Sequence, residues 1–179
     1  MIEDKFTQPH LLPQDLVLLL YCTCLPTHAP LPSFSALAKQ LQISPSQALY
    51  SVRRCKQAKL IFENNNDLSI IRESVRDLTL GGAAYVFPPR WGSVVAGIPT
   101  SSSVAPLNRF FPDSTDLVPV WPSPGAKLRG LAIAPLHPRV PLAVVNNAGL
   151  YERLALFDAL RAGNARERDL ARQLLAERI

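Results

Sequence analysis

Two amphipathic segments separated by a short turn form the clearest pattern of apolar and polar positions in the chain. Leu37 and Leu41 recur at helical spacing and predict a helix over residues 34–42, with Ser33 or Ser35 available as its cap. A Gln-Ile-Ser turn follows at once. The pattern therefore predicts two packed helices with almost no connecting loop.

The second helix is predicted over residues 45–59, because Ala48, Val52 and Cys55 are spaced i, i+4 and i+7. Ser44 is suited to cap it, and the proline that follows is suited to its first position. The remaining positions are mostly polar or basic and are predicted to face outward: Ser46, Gln47, Leu49, Tyr50, Arg53, Arg54, Lys56 and Gln57.

Two further helices are predicted beside this pair, at residues 13–25 and 68–80. The first is apolar on nearly every side, which predicts burial on more than one face. The second has Asp67 as its cap and the glycine pair at residues 81–82 as its stop. A strand is predicted to start at residues 60–62, but the polar run after it indicates no clear return strand.

The pattern changes after residue 82. Eleven of the 17 prolines fall between residues 88 and 141. Short apolar runs separated by proline and glycine predict strands at residues 84–87, 118–121 and 128–134. This half is therefore expected to contain short strands and irregular loops.

The remaining segments of the second half are a loop and helices. Residues 97–103 combine glycine with hydroxyl side chains and are predicted to form a surface loop. Residues 138–147 predict a short helix. Apolar spacing predicts two longer helices, at residues 150–162 and 164–179, which are separated by Gly163 and form a helical hairpin.

The whole chain has a net charge of +5, and one N-terminal segment carries basic residues without any acidic ones. No Asp or Glu occurs between Leu16 and Phe62. A positive surface of this kind favours a polyanionic partner such as nucleic acid. The cations within that span are Lys39, Arg53, Arg54, Lys56 and Lys59.

The sequence LAKQLQISPSQALYSVRRCKQAKLI, at residues 37–61, resembles the helix-turn-helix of bacterial winged-helix transcriptional regulators, including the MarR-type group. In the pattern of those regulators, a strand begins at the final apolar pair and a glycine commonly precedes it. Here Ala58 or Lys59 stands at the glycine position. The resemblance implies binding to double-stranded DNA, with the helix at residues 45–59 in the major groove.

The second half is similar to that of a family of small bacterial helix-turn-helix proteins, through the motifs Y-V-F-P, G-x-P-T, V-W-P, R-G and A-P-L. That resemblance implies a two-part regulator and identifies no ligand. Together these observations predict an α+β protein: an N-terminal winged helix-turn-helix domain at residues 1–82, then a proline-rich α+β domain at residues 83–179 that ends in two helices.

The residues predicted to contact DNA are the outward side chains of the second helix and one cation of the first. Polar positions near the helix start can reach base edges, and cations can bind phosphates. Since the wing is weak, we expect a homodimer that binds a short inverted repeat. The predicted base-edge group is Ser46, Gln47, Tyr50 and Arg53, and the predicted phosphate contacts are Arg54, Lys56 and Lys39.

No catalytic residue, metal site or cofactor is predicted. The three histidines lie in proline-rich loops without metal-ligand spacing. Cys22 and Cys24 point about 200° apart on a helix and cannot share a metal ion. The apolar run at residues 16–25 is too short to cross a bilayer, and no secretory signal is present, so a cytoplasmic protein is expected.

Two alternatives remain open. The protein could be an antitoxin or adaptor whose second half binds a protein partner, a toxin or a regulatory protein, with DNA binding absent or used for autoregulation. It could also be a small-molecule sensor with a pocket near Tyr85, Trp91 and Trp121.

Overall fold

The N-terminal apolar run forms α1, Pro13–Cys22, in a computed structural model that describes residues 10–65, 67–111 and 117–179. The helix ends three residues before the predicted position 25, because the chain turns towards its proline-rich loop. All its residues from Asp15 onward are buried. The expectation that this helix is covered on more than one side is confirmed.

The predicted helix pair is also confirmed. Helix α2 spans Phe34–Leu41 and is capped by Ser33, whose hydroxyl accepts a hydrogen bond from the Ala36 N–H at 3.2 Å. Helix α3 spans Pro45–Gln57. Gln42 adopts the left-handed conformation, with φ 56°, and this residue ends α2 and starts the tight turn.

A short antiparallel hairpin follows α3, with β1 at Ile61–Asn64 and β2 at Asp67–Ile70. Ile61 lies opposite Ile70, and the Leu31 N–H donates to the Leu68 carbonyl at 2.6 Å, which ties the hairpin to the loop before α2. The expected lack of a return strand is therefore wrong. Strand pairing that buries Ile61 outweighs the helical spacing of residues 68–71.

The helix predicted at residues 68–80 begins later and continues further than expected. It consists of α4 at Arg72–Asp77, a π-helical turn at Leu78–Gly82 and α5 at Ala83–Val86. The prediction of Asp67 as a cap, of a glycine stop and of a strand at residues 84–87 is wrong. Neither glycine has a positive φ, so neither ends the helix as a left-handed residue would.

Three strands of the second half form a small closed sheet: β3 at Trp91–Pro99, β4 at Pro119–Pro122 and β5 at Arg129–Ile133. Strand β3 runs antiparallel to both others, which pair with each other in parallel. The strands predicted near β4 and β5 are confirmed. Residues 97–99, predicted as loop, are instead the end of β3, and a 3-10 turn at Ser101–Ser103 follows.

The closed sheet requires glycine at two positions. A Cβ atom on Gly97 would collide with the Trp121 carbonyl oxygen, and one on Gly130 would collide with the Val118 carbonyl oxygen. Both glycines therefore allow backbones of neighbouring strands to approach closely.

The chain ends in three helices: α6 at Val140–Ala143, α7 at Ala148–Ala162 and α8 at Ala165–Ala176. Asn147 and Asn164 cap the last two. The short helix and the helical hairpin are confirmed, although α7 starts two residues before the predicted position 150.

Both halves of the chain contribute to one hydrophobic core. Helix α7 is buried along most of its length and packs against α1, the 3-10 turn after β3 and α5. The predicted domain boundary after residue 82 lies inside the continuous helical segment from Arg72 to Val86. Among the described residues, no helix has the length and apolar character needed to cross a membrane. The fold class is α+β, and helix packing holds the helix pair and hairpin against the second half.

Candidate nucleic-acid interface

The exposed face of α3 carries a continuous stripe of polar and basic side chains. Ser46, Tyr50 and Arg53 are all exposed and are spaced i, i+4 and i+7. Tyr50 is 55% exposed, and the Arg53 guanidinium carbon lies 5.8 Å from the centre of its ring. An aromatic ring and a planar cation on one outward face can contact bases and phosphates.

Gln47 and Lys39 lie at the margins of this stripe. The Gln47 side-chain oxygen accepts a hydrogen bond from the Ser44 N–H at 2.9 Å, while the Gln47 N–H donates to the Ser44 hydroxyl at 3.1 Å. This reciprocal capping box fixes the start of α3. It also engages the Gln47 side-chain oxygen, and Gln47 as a whole remains exposed. Lys39 is exposed in the last turn of α2.

Arg54 differs from its neighbours because it binds a buried carboxylate of α1. Its Nε and Nη2 atoms donate to the two oxygens of Asp15, both at 2.7 Å. The Asp15 side chain is fully buried, whereas 22% of the Arg54 side chain is exposed. The hydrogen bond to Asp15 raises the pKa of Arg54. The guanidinium stays charged, but Asp15 already balances that charge within the protein, which does not suit the predicted phosphate contact.

Two further donors complete the bonding of Asp15. The Ser51 hydroxyl of α3 donates to one carboxylate oxygen, and the Leu12 N–H donates to the other at 2.8 Å. A buried carboxylate is tolerated when a bidentate arginine and additional donors surround it. The network joins the start of α1 to the middle of α3. Spacing along the chain does not predict this network, although Ser51 follows the buried Ala48 at i+3.

Lys56 is exposed, but its ammonium group forms an ion pair with Glu63 of β1. The three predicted phosphate contacts therefore differ. Lys56 has an exposed acidic partner and Arg54 has a buried one. Lys39 forms no ion pair with any other described residue. The exposed face of α3 therefore holds fewer free cations than the sequence suggests.

The end of α3 forms a compact cap. It lies at the position where the winged-helix regulators that this segment resembles commonly carry glycine. Lys59 has φ 57°. The Leu60 N–H donates to the Cys55 carbonyl at 2.9 Å, and the Lys59 N–H donates to the Lys56 carbonyl at 3.0 Å. These two bonds are the Schellman arrangement, which turns the chain sharply from α3 into β1.

Tyr85, Trp91 and Trp121, near which a small-molecule pocket was proposed, occupy three different environments. Trp121 is buried, with 1% exposure, whereas Trp91 is 47% exposed and Tyr85 is 81% exposed. Trp91 lines an open cavity together with Ser101 and Phe110. Tyr85 lines a separate cavity next to α8.

Trp121 instead belongs to a buried polar network around Asp158 of α7. The indole Nε1–H donates to the Asp158 carboxylate at 2.6 Å, the Thr100 hydroxyl donates at 2.8 Å, and the Arg161 Nε donates at 2.8 Å. Burial raises the pKa of Asp158, and Arg161 with the other two donors acts in the opposite direction. Because Thr100 directly follows β3 and Trp121 lies in β4, their bonds to Asp158 hold the sheet on α7.

Burial disfavours the thiolate form of the two buried cysteines. Burial raises the pKa of Cys22 to about 12, and it also raises the pKa of Cys55. A thiol that stays protonated is a poor nucleophile and a poor metal ligand. Within the part of the chain that the structure describes, no group of three His, Cys, Asp or Glu side chains is arranged to hold a metal ion.

Comparison with protein-family models, curated proteins and solved structures gave no match to this chain. The assignment of the interface therefore depends on its own geometry and charge.

Proposed function

We propose that the protein is a sequence-specific DNA-binding regulator that places α3 in the major groove. The observation that carries the proposal is the outward stripe of Ser46, Tyr50 and Arg53 on a helix whose opposite face is fully buried. A rigidly seated helix with polar and cationic side chains on its free face suits readout of base edges.

The order of elements supports a winged-helix architecture for this region. Three helices precede an antiparallel hairpin, and the Leu31–Leu68 hydrogen bond joins the loop before α2 to that hairpin. The bonds from Arg54 and Ser51 to Asp15 fix α3 against α1. Fixed geometry lowers the ordering cost of binding.

In this proposal Ser46, Tyr50 and Arg53 read base edges, and the exposed amide of Gln47 adds a donor beside them. Lys39 and, when free of Glu63, Lys56 bind phosphates; Arg54 is left out because Asp15 holds it. The protein acts in the cytoplasm as a homodimer on a short inverted repeat, since one exposed helix contacts few base pairs.

The test begins with selection of bound duplexes from random DNA, followed by anisotropy titrations at several salt concentrations. Arg53→Ala should weaken binding to the selected site by about 1–3 kcal/mol and reduce the preference for it. Arg168→Ala, which removes one exposed positive charge from α8 instead, is the matched control and should change affinity little. Failure of the wild type to enrich any sequence, together with salt-independent binding, would contradict the proposal.

The homodimer is tested separately by light scattering of the free protein and of its complex with the selected duplex. Two copies on a site with two-fold sequence symmetry are expected. One copy bound to an asymmetric site would agree with the proposed DNA binding but contradict the proposed homodimer.

A second candidate function, an adaptor or antitoxin that binds a protein partner, is favoured by an apolar surface at and after α6. Leu142 is 50% exposed and Val145 is 67% exposed. Replacing both with Ser should abolish capture of a stoichiometric partner while leaving DNA binding intact. A variant that captures the partner as well as the wild type does would show that this surface is not the binding site.

A further inference from the structure

The hairpin that follows α3 has the wrong charge for binding phosphates. Its two strands and turn, residues 61–70, contain Glu63 and Asp67 and no Lys or Arg. Strands β1 and β2 are polar and exposed near the turn. Negative charge on a hairpin beside the DNA-facing helix repels the phosphate backbone.

Glu63 also has a specific cationic partner. Its carboxylate pairs with the Lys56 ammonium of the last turn of α3, and both side chains are partly exposed, at 42% and 49%. The pair thus lies at the surface where α3 meets the hairpin, next to the candidate interface.

The backbone around Glu63 is held firmly. The Ile71 N–H donates to the Leu60 carbonyl at 2.9 Å, Glu63 lies opposite Leu68 in the hairpin, and Leu68 accepts from the Leu31 N–H at 2.6 Å. Because the hairpin is attached on both sides, its backbone keeps Glu63 close to Lys56.

We propose that Glu63 attenuates DNA binding by neutralising Lys56 and by holding a negative charge beside the phosphate path. This inference rests on the proposed DNA-binding function and concerns the strength and salt dependence of that same interface. A phosphate that binds Lys56 must displace the Glu63 carboxylate and remain near it. The hairpin therefore acts as an acidic boundary of the interface, and α3 makes the contacts to DNA.

The test compares Glu63→Gln with Asp67→Asn in anisotropy titrations on the selected duplex. Both variants raise the net charge by one, but only Glu63 pairs with Lys56. Glu63→Gln should bind about fivefold more tightly at roughly 0.1 M salt, as expected for freeing one surface cation. Its plot of log affinity against log salt should be steeper by about 0.9, because one more counterion is released.

Asp67→Asn should give less than half of this gain. In the Glu63→Gln background, Lys56→Ala should remove the gain, which assigns it to the freed ammonium. Melting curves confirm that each variant is folded, and little change is expected because exposed ion pairs contribute little to stability.

The outcomes separate the inference from the proposed function. Salt-dependent wild-type binding with no gain for Glu63→Gln overturns the inference alone, as does an equal gain for Asp67→Asn. Absence of salt-dependent binding by both the wild type and Glu63→Gln overturns the proposed function and the inference with it.

Discussion

At the residue scale, Lys59 shows how a local backbone requirement is met by an unexpected side chain. The Schellman cap at the end of α3 requires a left-handed residue, and Lys59 supplies it with φ 57°. Glycine adopts this conformation without steric cost, whereas a residue with a Cβ atom is strained there by about 1 kcal/mol. The residue keeps a cation at the edge of the candidate interface at some expense of stability.

We therefore expect Lys59→Gly to be more stable than Lys59→Ala by about 1 kcal/mol, since only glycine relieves the strain. Both variants lose the same charge, so the comparison isolates the backbone. Urea unfolding followed by circular dichroism measures the difference. Equal stability of the two variants would show that the left-handed conformation carries no cost here.

At the element scale, the position of α3 depends on a carboxylate of α1. Asp15 accepts from Arg54 and Ser51, so the two helices are joined by charge-assisted bonds inside an otherwise apolar contact. Breaking a buried pair costs more than the pair contributes, because the remaining charge is left without a partner. The same contact determines which face of α3 is exposed.

Asp15→Ala should lower the free energy of unfolding by about 3–5 kcal/mol, because it leaves the Arg54 cation without its acid. Ser51→Ala, which removes one donor and keeps the ion pair, should cost only about 1–2 kcal/mol. Urea titration of both variants checks the order. If Asp15→Ala is too poorly folded to titrate, Asp15→Asn is measured in its place. A smaller loss of unfolding free energy in the Asp15 variant than in Ser51→Ala would contradict the network.

At the scale of the whole molecule, the helix pair and the closed sheet are parts of one packed structure. Helix α1 contacts both α3 and α7, and α7 carries Asp158, which binds Trp121 of β4. Because these contacts form a continuous path, loss of packing in the sheet should reach α3, the helix proposed to face DNA. We expect the described residues of both halves to unfold in one transition.

Trp121→Phe should lower the free energy of unfolding by about 1–3 kcal/mol, because it removes a hydrogen bond to a buried carboxylate and keeps most of the apolar volume. Trp91→Phe, at a half-exposed position of β3, is the control and should change stability by less than about 0.5 kcal/mol. Hydrogen exchange of the α3 amides should accelerate in the first variant only. Unchanged α3 exchange in a destabilised Trp121→Phe protein would indicate two independent units.

The amphipathic spacing of α2 and α3, their Ser33 and Ser44 caps and the final helical hairpin could be predicted from sequence, because each depends on neighbours within a few residues. Most outward positions of α3 followed from the same spacing, whereas Arg54, predicted to face outward, turns to the buried Asp15. The hairpin, the continuous helix through Gly81 and Gly82, and the long strand β3 could not, since partners distant in sequence decide them.

Periodicity and local capping along the sequence are enough to predict α2 and α3 and most of the residues on the outer surface of α3. Which cations of that surface are free of acidic partners follows instead from contacts in three dimensions. It pairs Arg54 with Asp15 across 39 positions and Lys56 with Glu63 across the turn into the hairpin. Charge pairing depends on distance in space, which spacing along the chain does not define.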